Sequence, residues 1–248
     1  MSASLRRLIG YLVGIAIVFA GWHATALLVG SPALPTPVDT VPVLMSNLSA
    51  LAPHFWISLY RVVVAMVIGT VLAFPVGLWI GRSKRVDAVL GPVLYILYPI
   101  PKIVFLPVLL VLLGLADAPK IALIAIAIFF QVAMTVRDAS KLVPDDLVES
   151  VRSLGASKWD IYRHVVIPHL LPDLFTALRI SSGTAIAILF FAEAFAGSTG
   201  LGFFIMDSWA MISYPRMFAG IIAMAVLGVV LYEVFDVAER RLTRWRSF

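Results

Sequence analysis

The sequence predicts an all-α polytopic membrane protein, a single transmembrane domain over residues 1–248 with about six membrane-crossing helices and one long polar loop. Three observations predict it. Hydrophobic residues make up 61% of the 248 and charged residues 13%, with a mean hydropathy of +1.01. A soluble domain carries about 25% charged residues, and a chain this apolar has too little polar surface to cover itself in water. The apolar residues fall in runs of membrane length, and the basic residues collect in alternate loops.

The first span covers residues 8–29, where Arg6 and Arg7 precede roughly 22 apolar residues, about 33 Å of helix. A secretory signal has an apolar core of about 7–15 residues, so this stretch is read as an uncleaved span. The segment SPALPTPVDTVPVLM comes next, with four prolines. Its broken backbone must leave the bilayer, and a short amphipathic helix is expected near residues 39–51. The next spans are 54–80, 88–114 and 121–136, the third span of the chain carrying YPIPKIVFLP. A charged loop occupies 137–172, and the last two spans are 174–196 and 217–236.

With alternating orientation, the N-terminus, the 81–87 loop, the 137–172 loop and the C-terminus share one side and hold 14 of the 19 Lys and Arg residues. The opposite loops hold Lys120 and Arg216. Basic loops stay cytoplasmic, so both termini are expected inside. The net charge of +5 is thereby explained by topology, and nucleic acid is not implied as a partner. The absence of cysteine excludes disulfides and thiolate metal sites. There is no HExxH, no GxSxG and no internal repeat, so neither catalytic nor metal-binding residues are assigned.

The loop is the informative element. Asp146 and Glu149 have the spacing of a capping box, and Leu147, Val151 and Leu154 recur on one helical face. Gly155 ends that helix, and Ser157 with Asp160 starts a second whose stripe of Trp159, Tyr162 and Val166 is interrupted at Pro168. Two readings stand on the residues alone: a connector resting on lipid headgroups, or a docking element for a soluble partner. Pre-formed helix starts and mixed charge signs favour docking.

From Glu149 to Pro168 the loop resembles the EAA signature of ABC importer permeases. Glu149 stands in its first place and Gly155 in its seventh, Val165 in the Ile place and Ile167-Pro168 in the Leu-Pro place; Ser150 and Val151 replace its two alanines. LPTPVDTV, SLYRVVVAMVIGTVLAFPVGLWIG, YPIPKIVFLPVLLVLLGLADAPKI and AEAFAGSTGLGFFI are similar to the nitrate/sulfonate/taurine group of these permeases. The resemblance implies the transmembrane domain of a type I ABC importer in the inner membrane, surrounded by lipid. Asp146, Glu149, Ser150, Val151, Leu154, Gly155, Ala156 and Ser157 would form its ATPase-coupling segment. Implied partners are ABC ATPase subunits that bind ATP and Mg, a second permease subunit read as a copy of the same chain, and a soluble substrate-binding protein. This chain has no G-x-x-x-x-G-K-[ST], so no ATP hydrolysis is expected of it and no cofactor of its own. The implied cargo is a small anion. A gradient-driven secondary transporter, which needs no ATPase, is the alternative.

Four ionisable residues inside spans are candidates for the substrate pathway or for its structural support, because charge at membrane depth is costly. Glu193 either bonds a neighbouring helix or lines the pathway. Lys102 either faces the pathway from its proline-broken segment, contacts another subunit or snorkels. Arg61 either snorkels or pairs with an acid such as Glu193, and Arg179 is expected to snorkel.

Overall fold

A backbone surrounded by lipid has to satisfy its own N–H and C=O groups, and apolar runs of this length do so as helices. The computed structural model describes residues 3–243, with side chains from residue 9 onward, so Arg244 and Arg246 and the side chains of Arg6 and Arg7 lie outside the described residues. Within them the chain is helical throughout, with no strand. The order is α1 (Ala3–Val29), α2 (Pro37–Ser46), α3 (Leu48–Arg82), α4 (Lys84–Leu97), α5 (Leu106–Leu113), α6 (Asp117–Lys141), α7 (Asp145–Ser153), α8 (Lys158–Ile161), α9 (Ile167–Ala196), α10 (Leu201–Ala210) and α11 (Tyr214–Leu242).

Among the described residues five helices are long and apolar enough to cross a membrane, and the bent pair of α4 with the segment Lys102–Leu113 makes a sixth if it is counted as one span. The crossings at 8–29, 174–196 and 217–236 correspond to parts of longer helices. Other boundaries differ for identifiable reasons. The helix expected at 39–51 is two elements. α2 starts at a Thr36–Asp39 capping box, whose hydrogen bonds hold the Asp39 carboxyl below the usual range, and α3 begins six residues ahead of the expected 54–80. Residues 88–114 are not one straight span. Pro99 and Pro101 lack the N–H groups a helix needs, and the two halves meet at 85°, joined by a 3-10 turn over Lys102–Phe105. α6 extends past both ends of 121–136, taking Arg137 and Lys141 into its last turns. α10 has no counterpart among the expected elements; its ten residues are too short to announce a span.

α6 is the central helix. It buries Ile124, Ile128, Val132, Ala133 and Val136 among α3 and α9. α3 meets it along a face of small residues four apart: Ala65, Gly69, Ala73, Gly77 and Gly81. Small side chains let backbones approach where no hydrophobic effect draws helices together. A Cβ at Gly77 would stand 2.6 Å from the Ala133 carbonyl oxygen, and one at Gly81 would stand 2.4 Å from that of Arg137. Both obstacles are backbone, so the helices themselves would have to separate. α1 makes the contrast. It leans on the bundle through Trp22, whose ring stacks on Phe218 at 5.4 Å and whose Nε1 donates to the Pro35 carbonyl at 3.0 Å. Its Gly10, Gly14 and Gly21 have open space around them.

Gly77→Ala is therefore expected to destabilise the protein by roughly 1–3 kcal/mol, the usual cost of overpacking. Thermal unfolding in detergent measures it. Gly21→Ala is the control and should leave the midpoint unchanged or raised.

Candidate functional site

The polar segment between α6 and α9 is one free helix and an extension, not a hairpin of two. α7 starts at Pro144 with Asp145 and Asp146 in its first turn, where the helix dipole favours them. The expected Asp146–Glu149 capping box is not formed, because Glu149 turns instead to Arg152, 2.8 Å away. The apolar face also differs from the expected one. Val148 is buried against the bundle with Val151 beside it, while Leu147 and Leu154 face outward, Leu154 with 86% of its surface exposed. Gly155 has φ +87° and closes α7, its N–H bonded to the Arg152 carbonyl. The Ser157–Asp160 capping box is present and starts α8. Pro168 does not interrupt the second helix. A π-helical turn over Tyr162–Val166 absorbs it, with the Ile167 N–H reaching back to the Tyr162 carbonyl, and α8 runs through this turn into α9. The loop expected at 137–172 thus shrinks to α7 and its flanking turns. Glu149, Ser150, Leu154, Gly155 and Ser157 are exposed, as is Asp146, whereas Val151 and Ala156 are half-buried against the core.

A second assembly lies at the opposite end of α3. Arg61 uses all five of its N–H donors there. Nε and Nη2 donate to Asp117 Oδ1 at 2.8 and 2.6 Å, Nη1 donates to Glu193 Oε1 at 2.8 Å and the Thr199 carbonyl at 2.9 Å, and Nη2 also donates to Thr199 Oγ1 at 2.9 Å. Glu193, with none of its surface exposed, also meets Ser58 Oγ at 2.8 Å and accepts from the Gly202 N–H at 2.9 Å. Ser58 in turn accepts from the Leu201 N–H at 2.8 Å, and the Gly200 N–H donates to His54 Nδ1 at 3.1 Å. Four elements are pinned together: α3, the start of α6, the end of α9, and the glycine turn that leads into α10. The glycines are required. Gly200 has φ +109°, and a Cβ there would stand 2.2 Å from the Glu193 carboxyl carbon.

The structure shows what holds the three pathway candidates within the chain. Arg61 and Glu193 do pair, buried inside the protein, with their charges satisfied by each other and by Asp117. Lys102 is buried too. Its ammonium donates to the carbonyls of Leu97, Tyr98 and Ile100 at 2.6, 3.1 and 2.8 Å and lies 4.4 Å from the centre of the Phe130 ring. It caps the carbonyls that the bend in the span leaves without helical partners. Lys120 does the same for Leu115 and Ala116 at 3.1 and 2.9 Å. Arg179 does not snorkel, because Asp236 and Glu239 of α11 hold it at 3.0 and 3.1 Å. Beside it an apolar groove of about 810 Å³ runs between α9, α10 and α11.

Sequence reasoning missed Ser58, Asp117 and Thr199 in the node. Ser58 and Arg61 had a detectable signal, since three residues apart on a helix they share a face. Among the described residues no group of three or more His, Asp or Glu is placed to hold a metal.

Removing one partner of a buried ion pair leaves the other uncompensated. Arg61→Met is expected to cost roughly 3–5 kcal/mol. Glu193→Gln should cost less, because the amide keeps an oxygen for Ser58 or Gly202. Unfolding midpoints of the two variants in detergent check the order.

Residues 65–244 match the family described as binding-protein-dependent transport system inner membrane component. The chain is 30% identical over 242 residues to the taurine transport system permease protein of Escherichia coli (strain K12), covering 94% of this chain and 88% of that protein. It is 31% identical to the putative aliphatic sulfonates transport permease protein of Bacillus subtilis (strain 168), covering 98% and 90%. It is 28% identical to the nitrate import permease protein of Synechocystis sp., covering 88% and 83%. Among solved structures, the inward-facing MetNI methionine ABC transporter superposes on 80% of this chain and 98% of its own, with a TM-score of 0.66 at 24% identity.

Proposed function

This chain belongs to the binding-protein-dependent transport system inner membrane components and is an ABC transporter permease; on that premise we propose that α7 is the segment through which a partner ATPase drives it. The observation that carries this reading is the exposed helix itself. α7 offers Leu147, Glu149, Ser150 and Leu154 to the outside of the bundle while Val148 fixes it from beneath. Leu154, almost fully exposed at a helix end closed by Gly155, is an apolar anchor without a place in this chain's own core.

ATP and Mg belong to the ATPase. This chain supplies the surface that the ATPase grips and the membrane helices that it moves. One α7 per chain serves one ATPase, so two ATPases require two permease subunits, which we take to be two copies of this chain around a shared pathway. A soluble binding protein delivers the solute at the side opposite α7. The segregation of 14 of 19 basic residues supports a cytoplasmic α7, cytoplasmic termini and an inner-membrane location.

The proposed cargo is a small anion of the nitrate, sulfonate or taurine kind. The names of the three relatives support this class, and Lys102 does not, since its charge is spent on carbonyl oxygens. Arg61 and Glu193 act as structural support for the pathway's outer end.

Replacing a central apolar anchor of an interface costs about 2 kcal/mol or more, roughly a thirtyfold loss of affinity. Leu154→Asp is expected to strip the ATPase from purified permease to that degree, and Glu149→Lys to weaken it by less. Both variants should elute as folded protein. Full ATPase retention by Leu154→Asp, and by a variant lacking residues 146–156, would refute the docking role.

A further inference from the structure

Helix α4 is held in an unusual way. In a bundle of apolar helices, its buried residues are Gly91 and Leu94 alone among its fourteen. Val89, Val93 and Ile96 point away from the chain's core. Cations hung on α6, or facing it, fix it at both ends. Near its start, Asp87 Oδ1 accepts from Arg137 Nε at 2.5 Å and Oδ2 from Lys141 Nζ at 2.6 Å. Arg137 is itself buried. It also reaches Asp138 at 2.8 Å and the Tyr95 hydroxyl at 3.2 Å, and its guanidinium lies 5.0 Å from the centre of the Tyr95 ring. At the far end of α4, Lys102 seals the last carbonyls against Phe130 of α6. Gly91 leaves room for the first of these joints, because a Cβ there would stand 3.0 Å from both Arg137 Nη2 and Asp87 Oδ1.

The position of this joint is telling. Arg137 and Lys141 occupy the last turns of α6, and residues 142–144 alone separate them from α7. Val143 in that connection and Val148 in α7 are both buried in the main core, so the end of α6 and α7 form one packed unit. α4 leads the other way, into the 85° bend and α5. A helix with so little apolar burial depends on its polar pins, and those at its Asp87 end, Arg137 and Lys141, lie on the helix that carries α7.

We propose that the Asp87–Arg137 pair, backed by Lys141, is a positioning link that carries movement of α7 into the bent span. The inference rests on α7 being the ATPase-docking segment. When α7 moves with the ATPase, α6's last turns move with it, and the pair obliges α4 to move as well. The bend beyond Leu97, where prolines remove the helical hydrogen bonds, is the pivot.

The chain has no cysteine, so paired spin labels can be placed without other changes. Cysteines replacing Val89 on α4 and Ser153 on α7, both exposed, report the distance between the two elements in the complex purified with its ATPase, diluted with unlabelled copies. The expected result is one narrow distribution that is the same without nucleotide and with ATP. Arg137→Gln should broaden it and make it shift when ATP is added. Gly91→Val, which displaces the guanidinium without removing a charge, should do likewise, and Arg137→Lys should restore the narrow distribution at least in part. If Arg137→Gln and Gly91→Val both keep the wild-type distribution in both nucleotide states, with the ATPase still bound, the link is overturned while the docking role of α7 stands. If no ATPase accompanies the wild-type chain, the docking role fails and the link falls with it.

Discussion

A charge on a membrane-length helix has to find its partner inside the protein, and much of this fold rests on that requirement. Arg61, Lys102, Lys120, Arg137 and Arg179 all lie within or at the ends of apolar helices, and each is tied to something definite. Arg61 joins Glu193 and Asp117. Arg137 joins Asp87, and Arg179 joins Asp236 and Glu239. The two lysines cap carbonyl groups that a break or a helix end leaves open. In lipid there is no water to offer an equivalent, so these ties decide which helices are neighbours and at what depth.

The ties divide by place. The Arg61 node fastens α3, α6, α9 and the turn into α10 at one end of the bundle, and the α3–α6 glycine face prolongs that fastening along the whole length. The α7 end is built differently. There a short exposed helix sits on buried valines, a π turn carries α8 into α9 without a break, and α4 hangs from α6 by ion pairs. One rigid end with a more loosely attached opposite end suits a subunit that has to change shape while its helices stay assembled.

The sequence made the class legible because hydropathy and charge placement are imposed by the bilayer on every residue. The signature spacing from Glu149 to Pro168 was legible because it is local. Helix ends were less so. α7's cap was misjudged because Asp146 and Glu149 fit a pattern that Arg152 competes for, and the inward face of α7 depends on Val148, which the Leu147–Val151–Leu154 periodicity passed over. Pro168 looked like a stop because a helix can accommodate it only by widening its turn, which no residue type announces. What Arg61, Lys102 and Glu193 bond to was not legible for one reason. Sequence reveals that a charge sits at membrane depth, but its partners come from residues 56 to 138 positions away for Arg61 and from the chain's own bent backbone for Lys102.

The central claim is that an ATPase grips this permease at α7. Site-specific cross-linking tests it most directly, since a single cysteine can be placed on this cysteine-free chain at Leu154 or, as a reference, at Val89. Treated with a short bifunctional reagent in native membranes, the Leu154 position should yield one product whose added mass is that of an ABC-type ATPase, and the Val89 position should not. A Leu154 cysteine that reacts with the reagent yet joins to no ATPase, while the permease remains folded in the membrane, would contradict the account.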